Sequence, residues 1–380
     1  MSDEAYLDCA ASAPLRREAL DAMLPYLTQH HGNPSGSHAV ARRARQGLEE
    51  SRDIVAEMCG ADPHGVVFTS GGTEADNLAV RGITAATGGV PACVSTEHHA
   101  VLDPVVDAGG HVVRVGRDGM VDLDHLGHLL ESRDDICMFS VMAVNNETGV
   151  VQPLAEIATI VRQRRPDVVI HTDAVQAAHW LDLRMVYPHV DAMSLAGHKF
   201  GGPKGSGVLV VRDGTPLAPQ ILGGGQEHER RSGTQNVAAA VGFATALHVT
   251  DTQRPIECAR ITGFRAAIED TLTATHNVVA TIDGSTGVPG ICHVTMLGVE
   301  SEAVLVALEQ RGVMAAAASS CASGALQPSH VLVAMGRSDT EAAGALRLSL
   351  AHSSTADEVE HALAVIPAAV KAMTPVGARP

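Results

Sequence analysis

Through the first two thirds of this 380-residue chain, short apolar runs that stop at polar or glycine-rich turns alternate with helical patterns. That alternation constrains the fold more than any other feature, because strands joined through helices run parallel in one sheet with helices on its faces. Val66-Val67-Phe68-Thr69 reads as such a strand, followed by the turn Ser70-Gly71-Gly72-Thr73 and a helix over Glu74 to Gly82. Cys137 to Val144 and Val168 to His171 read as buried strands, stopping at Asn145-Asn146-Glu147 and at Asp173. Asp191 to Leu195 is a shorter one that runs into Gly197-His198-Lys199, and Gly207 to Val211 reads as a hairpin-like return. After about Thr250 the texture changes to helix, short strand and helix. The expected architecture is α/β, with a large, mostly parallel domain over 15–250 and a smaller α+β domain built from 1–14 and 251–380. Ligands of open α/β sheets bind at the carboxyl ends of strands, so the polar strand ends are where a site is expected.

Composition removes several function classes. A net charge of −16 repels polyanions, and 2% aromatic residues leave few rings for stacking bases, so direct nucleic-acid binding is not expected. The acidic start lacks the pattern of a signal peptide and no apolar stretch is long enough to span a bilayer, so a cytoplasmic protein without a membrane partner is expected. The 7 cysteines are odd in number and form no C-x-x-C pair, which argues against a disulfide framework and a zinc knuckle. Most should be buried thiols. The only lysines are Lys199, Lys204 and Lys371.

Within this frame a few side chains stand out. Ser70-Gly71-Gly72-Thr73-Glu74 can cradle a phosphate at a helix start, though an ordinary helix capped by Thr73 is as good a reading. Lys199, hemmed by glycines past an apolar strand, would be partly desolvated and suited to Schiff-base chemistry; the alternative is a surface lysine in a turn. Asp173 follows a buried strand and needs a cation, such as a protonated pyridine nitrogen, unless it is a helix cap. Gln176, three residues on, could reach a ring oxygen. His98 could stack on a cofactor ring or move protons. Cys321 lies in a run of small residues, where it is either a nucleophilic thiol or a packing residue. Arg347, inside an alternating apolar strand, needs an internal Asp or Glu, or a substrate carboxylate.

Taken in order, these segments resemble the cysteine desulfurases of the class V aminotransferase family, the group with a long catalytic loop. The resemblance runs from Tyr6 to about Glu360 and rests on Tyr6-Leu7-Asp8-x-Ala10-Ala11, Asn33-Pro34-Ser35-x-x-His38, the segment Phe68 to Asn77, and Thr96-Glu97-His98. It also rests on Asn145-Asn146-Glu147-x-Gly149, His171-x-Asp173-Ala174-x-Gln176, Gly197-His198-Lys199, Arg231-Ser232-Gly233-Thr234, Ser320-Cys321 and Arg347-x-Ser349-Leu350. It implies a fold type I pyridoxal 5'-phosphate enzyme with a seven-stranded sheet, in which Lys199 binds the cofactor covalently and His98 stacks on it. Asp173 would pair with the ring nitrogen, Asn146 and Gln176 with its oxygen edge, and Gly72, Thr73 and His198 with the phosphate. Thr234 would join them from a neighbouring subunit of a homodimer. Asn33 and Arg347 would hold the carboxylate of L-cysteine. Cys321, on a loop of the small domain, would take the sulfur as a persulfide for an acceptor protein. Ala196 stands where many members have a phosphate-binding serine. The competing readings are another enzyme of the same fold, such as a selenocysteine lyase, epimerase or aminotransferase, and a non-catalytic sulfur carrier or scaffold.

Overall fold

The computed structural model describes residues 4–317 and 328–373. Its main sheet has seven strands in the order Val66–Thr69, Gly207–Val211, Ala192–Ala196, Val169–Asp173, Ile136–Ser140, Val90–Val94 and His111–Val113. The four pairings from Ala192–Ala196 to His111–Val113 are parallel, and Gly207–Val211 is antiparallel to both of its neighbours. The expected α/β architecture and the return strand are thus present. Every residue of Val66–Thr69, Ile136–Ser140, Val169–Asp173, Ala192–Ala196 and Gly207–Val211 is buried. Helices cover both faces of a parallel sheet, which is why these strands read as unbroken apolar runs.

A second, antiparallel sheet follows the order Ala316–Ala317, Ala345–Ser349, Ile291–Met296 and Val278–Ala280. The helix Val237–Thr273, 37 residues long, passes through the point near Thr250 where the texture changes. Ala5–Tyr6 pairs in parallel with Val313–Met314, after which Cys9 N–H bonds the Ser349 carbonyl at 3.2 Å and Ala13 N–H the His198 carbonyl at 2.9 Å. One hydrophobic core runs through both sheets, from Leu7 and Phe139 to Val294 and Leu346. Among the described residues no helix is long and apolar enough to cross a membrane.

Two local readings need correction. The helix after the Gly-rich turn runs Gly72–Thr87, and its cap is Gly71 rather than Thr73. Gly71 is extended and offers no side chain, so the first N–H groups of this helix are left for whatever enters the cavity beyond. The helix reaches past Gly82 because Gly88, at φ +72°, is the first residue to take the left-handed conformation that ends it.

Candidate active site

A cavity of about 240 Å³ opens at the carboxyl ends of the parallel strands. Nine of the residues singled out from the sequence line it: Gly72, Thr73, His98, Asn146, Asp173, Gln176, His198, Lys199 and Arg347. The strand Val169–Asp173 delivers Asp173, the strand Ala192–Ala196 runs into His198 and Lys199, and the helix Gly72–Thr87 presents its start. Lys199 Nζ donates to the carbonyls of Ala10 at 2.7 Å and Ala11 at 3.0 Å, so the N-terminal segment forms one wall.

Asp173 is 5% exposed and its Oδ1 accepts the Val175 N–H at 2.9 Å. Burial pushes its pKa up, opposed chiefly by His98 and then by Val175 and Lys199. A carboxylate in that setting calls for one more positive charge. Burial pushes His98 down, with Asp173 opposing, and its Nδ1 accepts the Ala100 N–H at 3.0 Å, so a neutral ring carries its proton on Nε2. His198, lowered to about 4 by burial and then by Lys199 and Lys204, contacts the Ser12 hydroxyl at 3.3 Å. Gln176 Nε2 donates to the Ala10 carbonyl at 2.7 Å.

Arg347 has an internal acid, one of the two partners that its sequence setting called for. Its Nη2 meets Asp8 Oδ1 at 2.8 Å, its Nη1 donates to the Asn146 carbonyl at 2.9 Å, and its buried Nε has no hydrogen-bond partner. The guanidinium therefore reaches the cavity with donor capacity in hand. Asn33 is exposed and caps the Ser35 N–H at 2.9 Å, and Thr234 is exposed as well; neither lines the cavity in the single chain. Cys321 lies outside the described residues. Of the cavity's other lining residues, Ala10, Ala11, Asp76 and Met142 were not singled out. Asp76 sits among other polar residues at its helix start, Thr73, Glu74 and Asn77, so nothing local marked it.

Residues 5–362 match the model of the class V aminotransferases. The chain belongs to that family. An IscS-like cysteine desulfurase of Mycobacterium tuberculosis is 40% identical to this class V chain over 96% of each. Among solved structures, a NifS-like protein superposes with a TM-score of 0.90 at 29% identity, covering 97% of this chain and 99% of that one. A structure described as SspA in complex with cysteine superposes at 0.79 and 31% identity, over 92% of this chain and 100% of that one.

Class V enzymes depend on pyridoxal 5'-phosphate, and the cavity suits it. A primary amine is fixed at one wall, an extra-charge-seeking carboxylate lies at depth, and a helix start without a side-chain cap offers N–H groups to a phosphate. Gly72 is needed there, since a Cβ would stand 2.9 Å from Val175 Cγ2 and 3.3 Å from Ala196 Cβ.

Proposed function

We propose that this enzyme, a cysteine desulfurase, converts L-cysteine to L-alanine on the residues of this one cavity and hands the sulfur to Cys321. The observation that carries the reading is the convergence of Lys199, Asp173, His98 and Arg347 on a single cavity of about 240 Å³. Bound to Lys199, pyridoxal phosphate supplies an electron sink for carbanion character at the substrate α-carbon. Asp173 holds the positive charge on the ring nitrogen, the start of the helix Gly72–Thr87 takes the phosphate with His198, and Asn146 and Gln176 face the ring oxygen. Arg347, on the cavity wall, binds the substrate carboxylate, with Asn33 assisting. The Lys199 amine would take the α-proton, and His98, carrying its proton on Nε2 on the cavity wall, would stack on the ring and pass a proton.

Sulfur transfer balances as follows. The Cys321 thiolate attacks the substrate sulfur, an S–S bond forms, the substrate C–S bond breaks, and the carbon fragment keeps the electron pair and is protonated to alanine. The other cysteines support this assignment. Cys9, Cys59, Cys93, Cys137 and Cys292 are buried and Cys258 is half-buried, and burial pushes Cys9, Cys59 and Cys292 up to about 12, Cys93 well above its ordinary value and Cys258 upward. Such thiols make poor nucleophiles. The active unit is a homodimer in which Thr234 reaches the phosphate of the neighbouring subunit, consistent with its exposure outside its own cavity. We place the enzyme in the cytoplasm, passing its persulfide to an acceptor protein, with the catalytic loop carried by a small domain of 1–14 and 251–380.

Mass spectrometry after exposure to L-cysteine should find one added sulfur on the peptide that contains Cys321. Cys321→Ser should abolish both this mass shift and alanine formation while leaving cofactor colour intact. Undiminished turnover in Cys321→Ser would remove the assigned role.

A further inference from the structure

The turn that carries Lys199 is gripped from behind at four consecutive residues. The main-chain N–H groups of Ala13 and Arg16 donate to the carbonyls of His198 and Gly201, each at 2.9 Å. Arg16 Nε and the Thr250 hydroxyl both donate to the Phe200 carbonyl at 3.1 Å. The ring of His179 hydrogen-bonds the backbone of Lys199 itself. Two of these gripping side chains, Arg16 and His179, converge on one carboxylate of the helix Val237–Thr273. Arg16 Nη2 stands 3.1 Å from Glu257 Oε1 and 3.0 Å from Oε2, and His179 Nε2 stands 3.0 Å from Oε2.

All three side chains lie in the interior, with Arg16 5%, His179 3% and Glu257 7% exposed. His179 is further fixed by stacking on Trp180, ring centroids 4.2 Å apart and planes 11° from parallel. The stem of Arg16 lies directly on the turn. Gly201 sits at φ +89°, and a Cβ there would stand 2.5 Å from Arg16 Cγ. A buried arginine needs an acid wherever it occurs. What sets this cluster apart is where its donors end: on the backbone of Lys199 and on the carbonyls of Phe200 and Gly201 just after it, which hold the turn from which the side chain reaches the cavity. An amine that must first hold a cofactor and then meet a substrate proton tolerates only a few tenths of an ångström of drift.

We propose that Glu257 is a positioning residue for Lys199, acting through Arg16 and His179 to hold the lysine-bearing turn in register with the cavity. This rests on the reading of Lys199 as the cofactor lysine. Glu257→Gln removes the negative charge that neutralises the buried Arg16, together with one of the two acceptor oxygens. The visible absorbance of the holoenzyme is titrated against pH, and steady-state kinetics with L-cysteine are measured alongside. Glu257→Gln should move the absorbance midpoint by about one pH unit and lower kcat by tenfold to about 10²-fold. KM should stay within about twofold, because Arg347 is untouched. A parent-like midpoint and kcat in a folded Glu257→Gln protein overturn the proposal. If that variant fails to fold, His179→Gln decides, since it keeps the Arg16 and Glu257 pair and removes the contact to Lys199: a shifted midpoint supports positioning, and a parent-like one refutes it. Lys199→Ala separates the two readings. If it still holds pyridoxal phosphate in a borohydride-reducible attachment, the cofactor-lysine reading fails, and not merely the role of Glu257.

Discussion

Arg347 shows how far a single residue can be read before a fold is known. A charge in the middle of an apolar strand demanded a partner, and the structure supplies Asp8 and the Asn146 carbonyl while leaving Nε unmatched. Which acid would pair with it was not legible, because Asp8 lies 339 residues away in sequence and arrives through the parallel pairing of Ala5–Tyr6 with Val313–Met314. The same holds for Lys199. Its neighbours in sequence marked it, but the carbonyls that fix its amine belong to Ala10 and Ala11. Because Arg347 offers a charge-assisted contact to the substrate carboxylate, Arg347→Gln should raise KM for L-cysteine by about 10-fold to 10²-fold, the cost of one such contact. Steady-state kinetics check this. Cofactor absorbance should be retained, since Lys199 and Asp173 keep their own partners.

At the level of elements, strands and their polar ends were legible because the signal is local: an apolar run, then a turn residue. The segment 226–230 was not. Glu227, His228 and Glu229 take φ of 49°, 57° and 64°, three non-glycine residues in succession in the left-handed region, each costing about 1–2 kcal/mol. No sequence pattern announces such a run. It persists because the Glu227 carboxylate is 1% exposed, bonds both Arg52 Nη1 at 2.9 Å and Nη2 at 3.0 Å, and accepts the Phe68 N–H at 2.9 Å. Arg231 adds a second tie to Glu74, at 2.8 Å, within the Gly-rich turn. This segment is therefore pinned both to Arg52 and the strand Val66–Thr69 and to the start of the helix Gly72–Thr87. Glu227→Ala would leave Arg52 buried without its acid while the strain remains, so a loss of about 3–5 kcal/mol in folding free energy is expected. Denaturant unfolding of the apoprotein measures it. If Thr234 serves a neighbouring subunit, dilution should also dissociate the Glu227→Ala dimer at higher concentration than the parent, readable by sedimentation velocity.

For the whole molecule, the balance of buried titratable groups fixes how stability depends on pH. His171 and His293 are each pushed from an ordinary 6.5 down to about 3 by burial, and His352 likewise to about 3. They stay neutral in the fold while the unfolded chain protonates them, so they cost stability as pH falls below 6.5. Buried acids have the opposite sign. Glu147 is raised from 4.5 to about 7, chiefly by burial, while Asp76 and Glu97 are raised well above their ordinary values by burial and the neighbouring Asp173. These acids keep their protons in the fold where the unfolded chain has lost them, so they cost stability as pH rises above about 4.5. Between pH 4.5 and 6.5 the two groups oppose each other, but His98, His179, His198, His228 and His330 are lowered as well, so the histidines outnumber the raised acids and stability should fall gently as pH drops through this range. Below 4.5 the raised acids are protonated in both states and drop out, leaving the histidines, with His171 and His293 each removing on the order of 2 kcal/mol by pH 3. Glu257 adds to that loss: burial alone would raise it, but His179 and Arg16 hold it at about 2, and their stabilisation fades as pH falls towards that value. The melting temperature of the apoprotein should therefore peak near pH 6.5, fall gently towards pH 4.5 and more steeply below it, and decline above 6.5 as the raised acids ionise. Calorimetry across pH 3 to 8 checks this. A melting temperature that failed to decline above pH 6.5 would mean that Asp76, Glu97 and Glu147 are ionised in the fold. Pyridoxal phosphate should lift the alkaline shoulder, because a cationic ring nitrogen gives Asp173 the charge that its burial otherwise withholds.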